Sequence, residues 1–150
     1  MRTHPGSTQR SLAESFALAL ITKAAILTLA NCAGVDTAVV ASPGVEFNLA
    51  VGKTATLSGS DYRITFNRVT DDSRCPVDVQ CVWAGDARIE LTVSRNSVPG
   101  DTRAISLTSP NNEVTVGDLR IRFVSLAPTP RQSEPPASRA YIARLLALTP

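Results

Sequence analysis

The sequence predicts an all-β fold: a small β-sandwich, with a small β-barrel as the alternative, behind an N-terminal signal segment and a short linker. Three observations carry that expectation. Apolar and polar residues alternate with period two through much of the chain from Val45 onward, the mark of half-buried strands. Turn residues cut this region into seven or eight short segments within about 105 residues. At 150 residues the chain is long enough for one domain and too short for two comfortable ones.

Residues 1–31 read as a signal peptide. Arg2 and Arg10 lead into an apolar run broken by Glu14 and Lys23, and its uninterrupted core, "AAILTLA", is too short to cross a bilayer. "LANC" at 29–32 resembles a bacterial lipobox, in which the cysteine is diacylated and becomes the new N-terminus. Asn31 departs from the small residue usual just before that cysteine. The competing expectation is an ordinary signal cleaved after "VVA" at 39–41. Cysteine arithmetic favours the lipoprotein. Three cysteines leave one unpaired in an exported chain, and acylating Cys32 leaves Cys75 with Cys81 for a disulfide. Residues 32–44, small and unpatterned, are then a lipid tether, and 45–150 the folded body.

Charge narrows the partners. Arg2, Arg10 and Lys23 against Glu14 account for the whole formal charge of +2, so from Cys32 onward the chain is neutral. A neutral body lacks the electrostatic footprint of nucleic-acid binding.

The strands follow in order. Val45, Phe47, Leu49 and Val51 share one face, Gly52-Lys53 turns, and "TATLS" follows. Tyr62, Ile64 and Phe66 share the next face. Cys81, Trp83, Gly85, Ala87, Ile89, Leu91 and Val93 have one parity and read as the clearest strand. "EVTV", the turn "GD" and "LRIRFVSLAP" read as a hairpin, with a bulge where the apolar phase shifts after Phe123. "PTPRQSEPPAS" is a proline-rich exposed loop. "RAYIARLLAL" favours helix by propensity, but its length and its place after an all-β series favour an edge or closing strand.

One stretch stands apart: "DDSRCPVDVQCVWAG", residues 71–85. A transition-metal site is not expected, because the only histidine is His4, the only methionine is Met1, and two cysteines alone make half a site. Calcium stays open as a weak option on Asp71, Asp72, Asp78 and Asp86. Redox centres use a closer cysteine spacing at a helix N-terminus. Without a histidine in the mature body no Ser-His-Asp or Cys-His triad can be built, and no glycine-rich phosphate loop is present. The expectation is a non-catalytic chain with no metal and no cofactor. A Cys75–Cys81 disulfide would then be a clasp, worth about 2 kcal/mol on the chain-entropy estimate. Trp83 is expected in the core by its parity, with Gly85 leaving room for the indole or for close approach of another chain.

"ITFNRVTDDSRCPVDVQCVWAGDARIELTVS", with the later "LAPTP" and a terminal tyrosine-containing strand, resembles a family of uncharacterised bacterial exported proteins and lipoproteins. The shared signature is Asp-Ser-Arg-Cys-Pro followed by Cys-Val-Trp-Ala-Gly, and the likeness covers most of residues 45–148. It implies an exported β domain and no particular activity.

The functional expectation is a cell-envelope lipoprotein, its β domain a binding module for another envelope protein or a glycan. The runner-up is a small secreted inhibitor of a protease or other hydrolase. The membrane is met through the lipid anchor, and Ala33 favours the outer membrane in a Gram-negative host, with periplasmic or secreted protein as the alternative. Arg74 and Arg131, on the two unusual loops, are the candidate partner-binding charges.

Overall fold

A computed structural model describes residues 38–96, 98–108 and 110–150; the expected signal peptide, Cys32 and the first part of the expected tether lie outside them. Among the described residues the chain forms nine strands and one short 3-10 turn, Pro136–Ser138. The strands are β1 (Val39–Ala41), β2 (Glu46–Ala50), β3 (Thr54–Leu57), β4 (Tyr62–Asp72), β5 (Ala87–Arg95), β6 (Asp101–Ser106), β7 (Glu113–Val116), β8 (Leu119–Ala127) and β9 (Ile142–Leu148).

They build two sheets, one in the order β1-β3-β4-β5-β6 and the other β2-β9-β8-β7. The fold is the expected small β-sandwich. Alternation decides which side chains meet between the sheets. Ile64 and Phe66 on β4, with Ala87, Ile89 and Leu91 on β5, are fully buried from one side. Leu49, Leu119, Ile121, Ala143, Leu145 and Ala147 are fully buried from the other, with Phe123 almost so. The predicted hairpin of β7 and β8 is present, with Val116 opposite Leu119 and Gly117 at φ 58° in the left-handed region that such a tight turn needs. The expected bulge falls between Phe123 and Ser125.

Three expectations are corrected. The folded body starts earlier than Val45, because β1 lies inside the expected tether. It pairs in parallel with β3, Val39 to Ala55 through Ala41 to Leu57, and Ala41 is only 2% exposed. The strand after the motif starts at Ala87, so Cys81, Trp83 and Gly85 are loop residues. Residues 142–148 are a strand, as expected, but an internal one paired with β2 on one side and β8 on the other. Two flanking ladders outweigh the helix propensity of its alanines and leucines.

The register sends one set of loops to one end. Asp72 pairs with Ala87, Arg88 with Ser106, Ala127 with Ile142, and Ala50 with Ile142. The β4–β5 loop and the β8–β9 loop, which carry the motif and the proline-rich segment, therefore share that end. We call it the clasp end.

Candidate functional site

The β4–β5 loop is cross-linked at several levels. Cys75 and Cys81 form the expected disulfide, with Cα atoms 5.9 Å apart. Below it Ser73 N donates to Asp86 O at 2.8 Å and Cys75 N to Ala84 O at 3.0 Å, so the two arms of the loop are laced together. Gly85 makes the lacing possible. It sits at φ 70°, and a Cβ there would lie 1.8 Å from the Ser73 carbonyl oxygen, so close approach of another chain segment is what this glycine provides. Asp86 then locks the base of the loop to the end of β6, accepting from Ser106 Oγ, from Thr108 N at 3.0 Å and from Thr108 Oγ1 at 2.8 Å. Burial works against its ionisation, but the Ser106 and Thr108 donors prevail and hold its pKa below the ordinary carboxylate value.

The disulfide loop also lies against the proline-rich loop. Val77 N donates to Pro130 O at 3.0 Å, and the Asp78 carboxylate accepts from Gln132 N at 2.9 Å. The two loops that the sequence singles out form one continuous surface.

Beneath that surface is a buried ionic hub. Asp72, 2% exposed at its side chain, accepts from Arg74 Nε at 2.7 Å, Arg139 Nη1 at 3.1 Å and Tyr141 Oη at 2.9 Å. Two guanidinium groups thus share one carboxylate, and four carbonyl oxygens meet the surplus positive charge. Arg74 donates to Leu126 O and Pro128 O, and Arg139 to Arg131 O and Glu134 O. Arg139 Nε is the one buried side-chain polar atom without a partner among the described residues. Burial opposes the Asp72 charge, yet the hydrogen bonds from Arg74 and Tyr141 and the Arg74 charge outweigh it and lower the pKa. Burial raises the Tyr141 pKa, and Asp72, favouring the protonated phenol, raises it further.

Sequence reasoning put Arg74 on the surface as a partner-binding charge. That is corrected: its side chain is 13% exposed and spans the gap from the motif loop to the end of β8. Arg131 is exposed, as expected, and only its backbone carbonyl joins the hub. Trp83 is corrected in the opposite direction. It is 76% exposed, beside Val82 at 89%, because the strand parity that assigned it to the core does not extend through the turned Gly85. Arg139 and Tyr141 were missed. Their signal was parity, since both share the inward phase of Ala143, Leu145 and Ala147.

The four aspartates around the motif do not converge. Asp71 accepts from Ser73 Oγ, Asp72 serves the hub, Asp78 the Gln132 amide and Asp86 the end of β6. Among the described residues no group of three His, Cys, Asp or Glu side chains is placed to hold a metal ion. A shallow cleft of about 350 Å³ beside the hub is lined by Val69, Thr70, Asp71, Asp72, Pro136, Ala137 and Tyr141. No protein-family model, curated protein or solved structure matches the chain.

Proposed function

We propose that this chain is a lipid-anchored envelope protein whose β domain is a non-catalytic docking module, with the clasp end as its contact surface. The observation that carries this is the contrast between frame and tip. Val82 and Trp83 are solvent-exposed on a loop braced by a disulfide, backbone lacing and a buried ionic hub. A large aromatic held out on an ordered backbone presents apolar area at little entropic cost on binding. The Asp72 hub braces that tip and takes no part in chemistry.

The anchor reading is supported from the other side by β1. Cleavage after Ala41 would remove a strand whose last residue is core, whereas processing at Cys32 leaves it intact. The inhibitor reading is the weaker one. An inhibitory loop offers its extended backbone to a protease cleft, but here Val77 N is used on Pro130 O and Val79 N closes a turn onto Pro76 O.

Oxidative footprinting read by mass spectrometry tests the surface. Trp83 is expected to be oxidised readily in the purified protein and protected in intact envelopes. Equal oxidation in both removes the clasp end as a contact surface. Recovery of Cys32 as an acylated N-terminus tests the anchor separately; a mature start at Ser42 overturns it.

A further inference from the structure

The docking reading leaves open what covers the tip, and the direction of β1 bears on it. β1 is parallel to β3 and β3 antiparallel to β4, so the N-terminal end of β1, at Val39, is the end that faces the clasp end, toward which β4 runs. The levels can be followed across the sheet. Val39 lies beside Ala55, Ala55 beside Ile64, and Ile64 beside Val93. From Val93 to Ala87, where the motif loop begins, β5 extends six residues further, or about 20 Å at the strand rise. From Cys32 to Val39 the chain has seven residues, a reach of at most about 25 Å when fully extended. The level of the loop that carries the tip is therefore within reach of an anchor at Cys32.

Surface chemistry agrees with that geometry. The described residues include eight large exposed hydrophobics, and Val51, Val77, Val82, Trp83 and Ile142 lie at the clasp end or on strands and turns that open onto it. Trp83 is the only tryptophan in the chain. An indole has an apolar body and an N–H donor, which suits the boundary between lipid headgroups and acyl chains. The body is neutral, so attraction to anionic lipid is not the driving force; apolar contact is.

We propose that the clasp end rests on the lipid surface holding the Cys32 anchor, with Val82 and Trp83 seated at the headgroup boundary. This rests on Cys32 being acylated. It assigns the occupant of the docking surface as lipid, in place of a protein or glycan.

Because Trp83 is the sole tryptophan, its fluorescence reports this one side chain. The lipoprotein, purified from membranes with its native N-terminus, is reconstituted into phosphatidylethanolamine–phosphatidylglycerol vesicles, with and without lipids brominated high on the acyl chains. The expected result is a blue-shifted emission, most of it quenched by the brominated lipid and unchanged when salt is raised. Val82→Asp should relieve much of the quenching without altering thermal unfolding. Acylated, vesicle-bound protein whose Trp83 emission stays water-like and unquenched overturns the lipid assignment and leaves the anchor standing. If such protein still shows Trp83 protection in intact envelopes, a protein or glycan covers the tip. Mature protein with no acyl mass on Cys32 overturns both the anchor and the lipid assignment.

Discussion

Two halves of one fifteen-residue stretch behave in opposite ways. From Asp71 to Cys75 nearly every polar group is used inside the molecule, on Asp86, Arg139, Tyr141 or the end of β8. At Val82 and Trp83, just past the second cysteine, two apolar side chains touch little of their own chain. A signature that reads as one motif is therefore a support and a presented surface joined by a disulfide. The support half is ionic because it must bridge two sheets across a gap filled by carbonyl oxygens. The presented half is apolar and open to solvent.

Substitutions can break that division, and the largest effect belongs to the hub. Asp72→Ala leaves two buried guanidinium groups without their carboxylate, and should cost about 3 to 5 kcal/mol in urea unfolding. Arg74→Ala should follow at about 3 kcal/mol, since Asp72 keeps Arg139 and Tyr141 while the tie to β8 is lost. A surface arginine would give less than about 0.5 kcal/mol, so this variant separates the two assignments of Arg74 cleanly.

Acid sharpens the same point. Asp72 and Asp86 have folded-state pKa values below their unfolded ones, so their contribution is full above about pH 4 and lost as pH falls through the folded values. Tyr141 is raised, so its contribution is present below about pH 10 and lost as pH rises through its folded value. Stability should therefore be flat between these limits. Asp72→Asn should weaken the acid-side slope and leave the Asp86 part.

Gly85→Ala comes next. It forces a side chain into the Ser73 carbonyl at a positive φ and should cost at least about 2 kcal/mol. Replacing Cys75 and Cys81 together by serine should cost about 2 kcal/mol, the worth of a short closed loop. Trp83→Ala is the smallest, within about 0.5 kcal/mol in stability. A loss of several kcal/mol from Trp83→Ala would return the indole to the core.

Much of this was legible before any coordinates. Alternation located β2, β4, β5 and β8, length and place in the chain located β9, and cysteine arithmetic located the disulfide, because these are local or combinatorial signals. Trp83 was not legible. Parity predicts a face only while the strand persists, and the positive φ of Gly85 ends that inference two residues beyond the indole. Arg74 looked like an exposed loop charge because its partners, Leu126 and Pro128, are more than fifty residues away in sequence. Asp72 keeps the inward parity of Tyr62, Ile64 and Phe66, since the two register shifts in β4, at Phe66/Arg68 and Val69/Asp71, cancel; it went unread because Asp-Asp-Ser looks like turn chemistry. β1 was missed because three residues are too few to display a period.

The parallel pairing of β1 with β3 has a mechanical consequence. A tether that leaves Val39 along the line of the strand transmits tension along β1, across its ladder bonds rather than along them. The pairs Val39–Ala55, Val40–Thr56 and Ala41–Leu57 are then loaded together in shear, instead of being peeled one at a time. Were the chain anchored upstream, as proposed, a pull would meet these three pairs together, and β1 would yield first, leaving β4, β5 and the clasp loop folded.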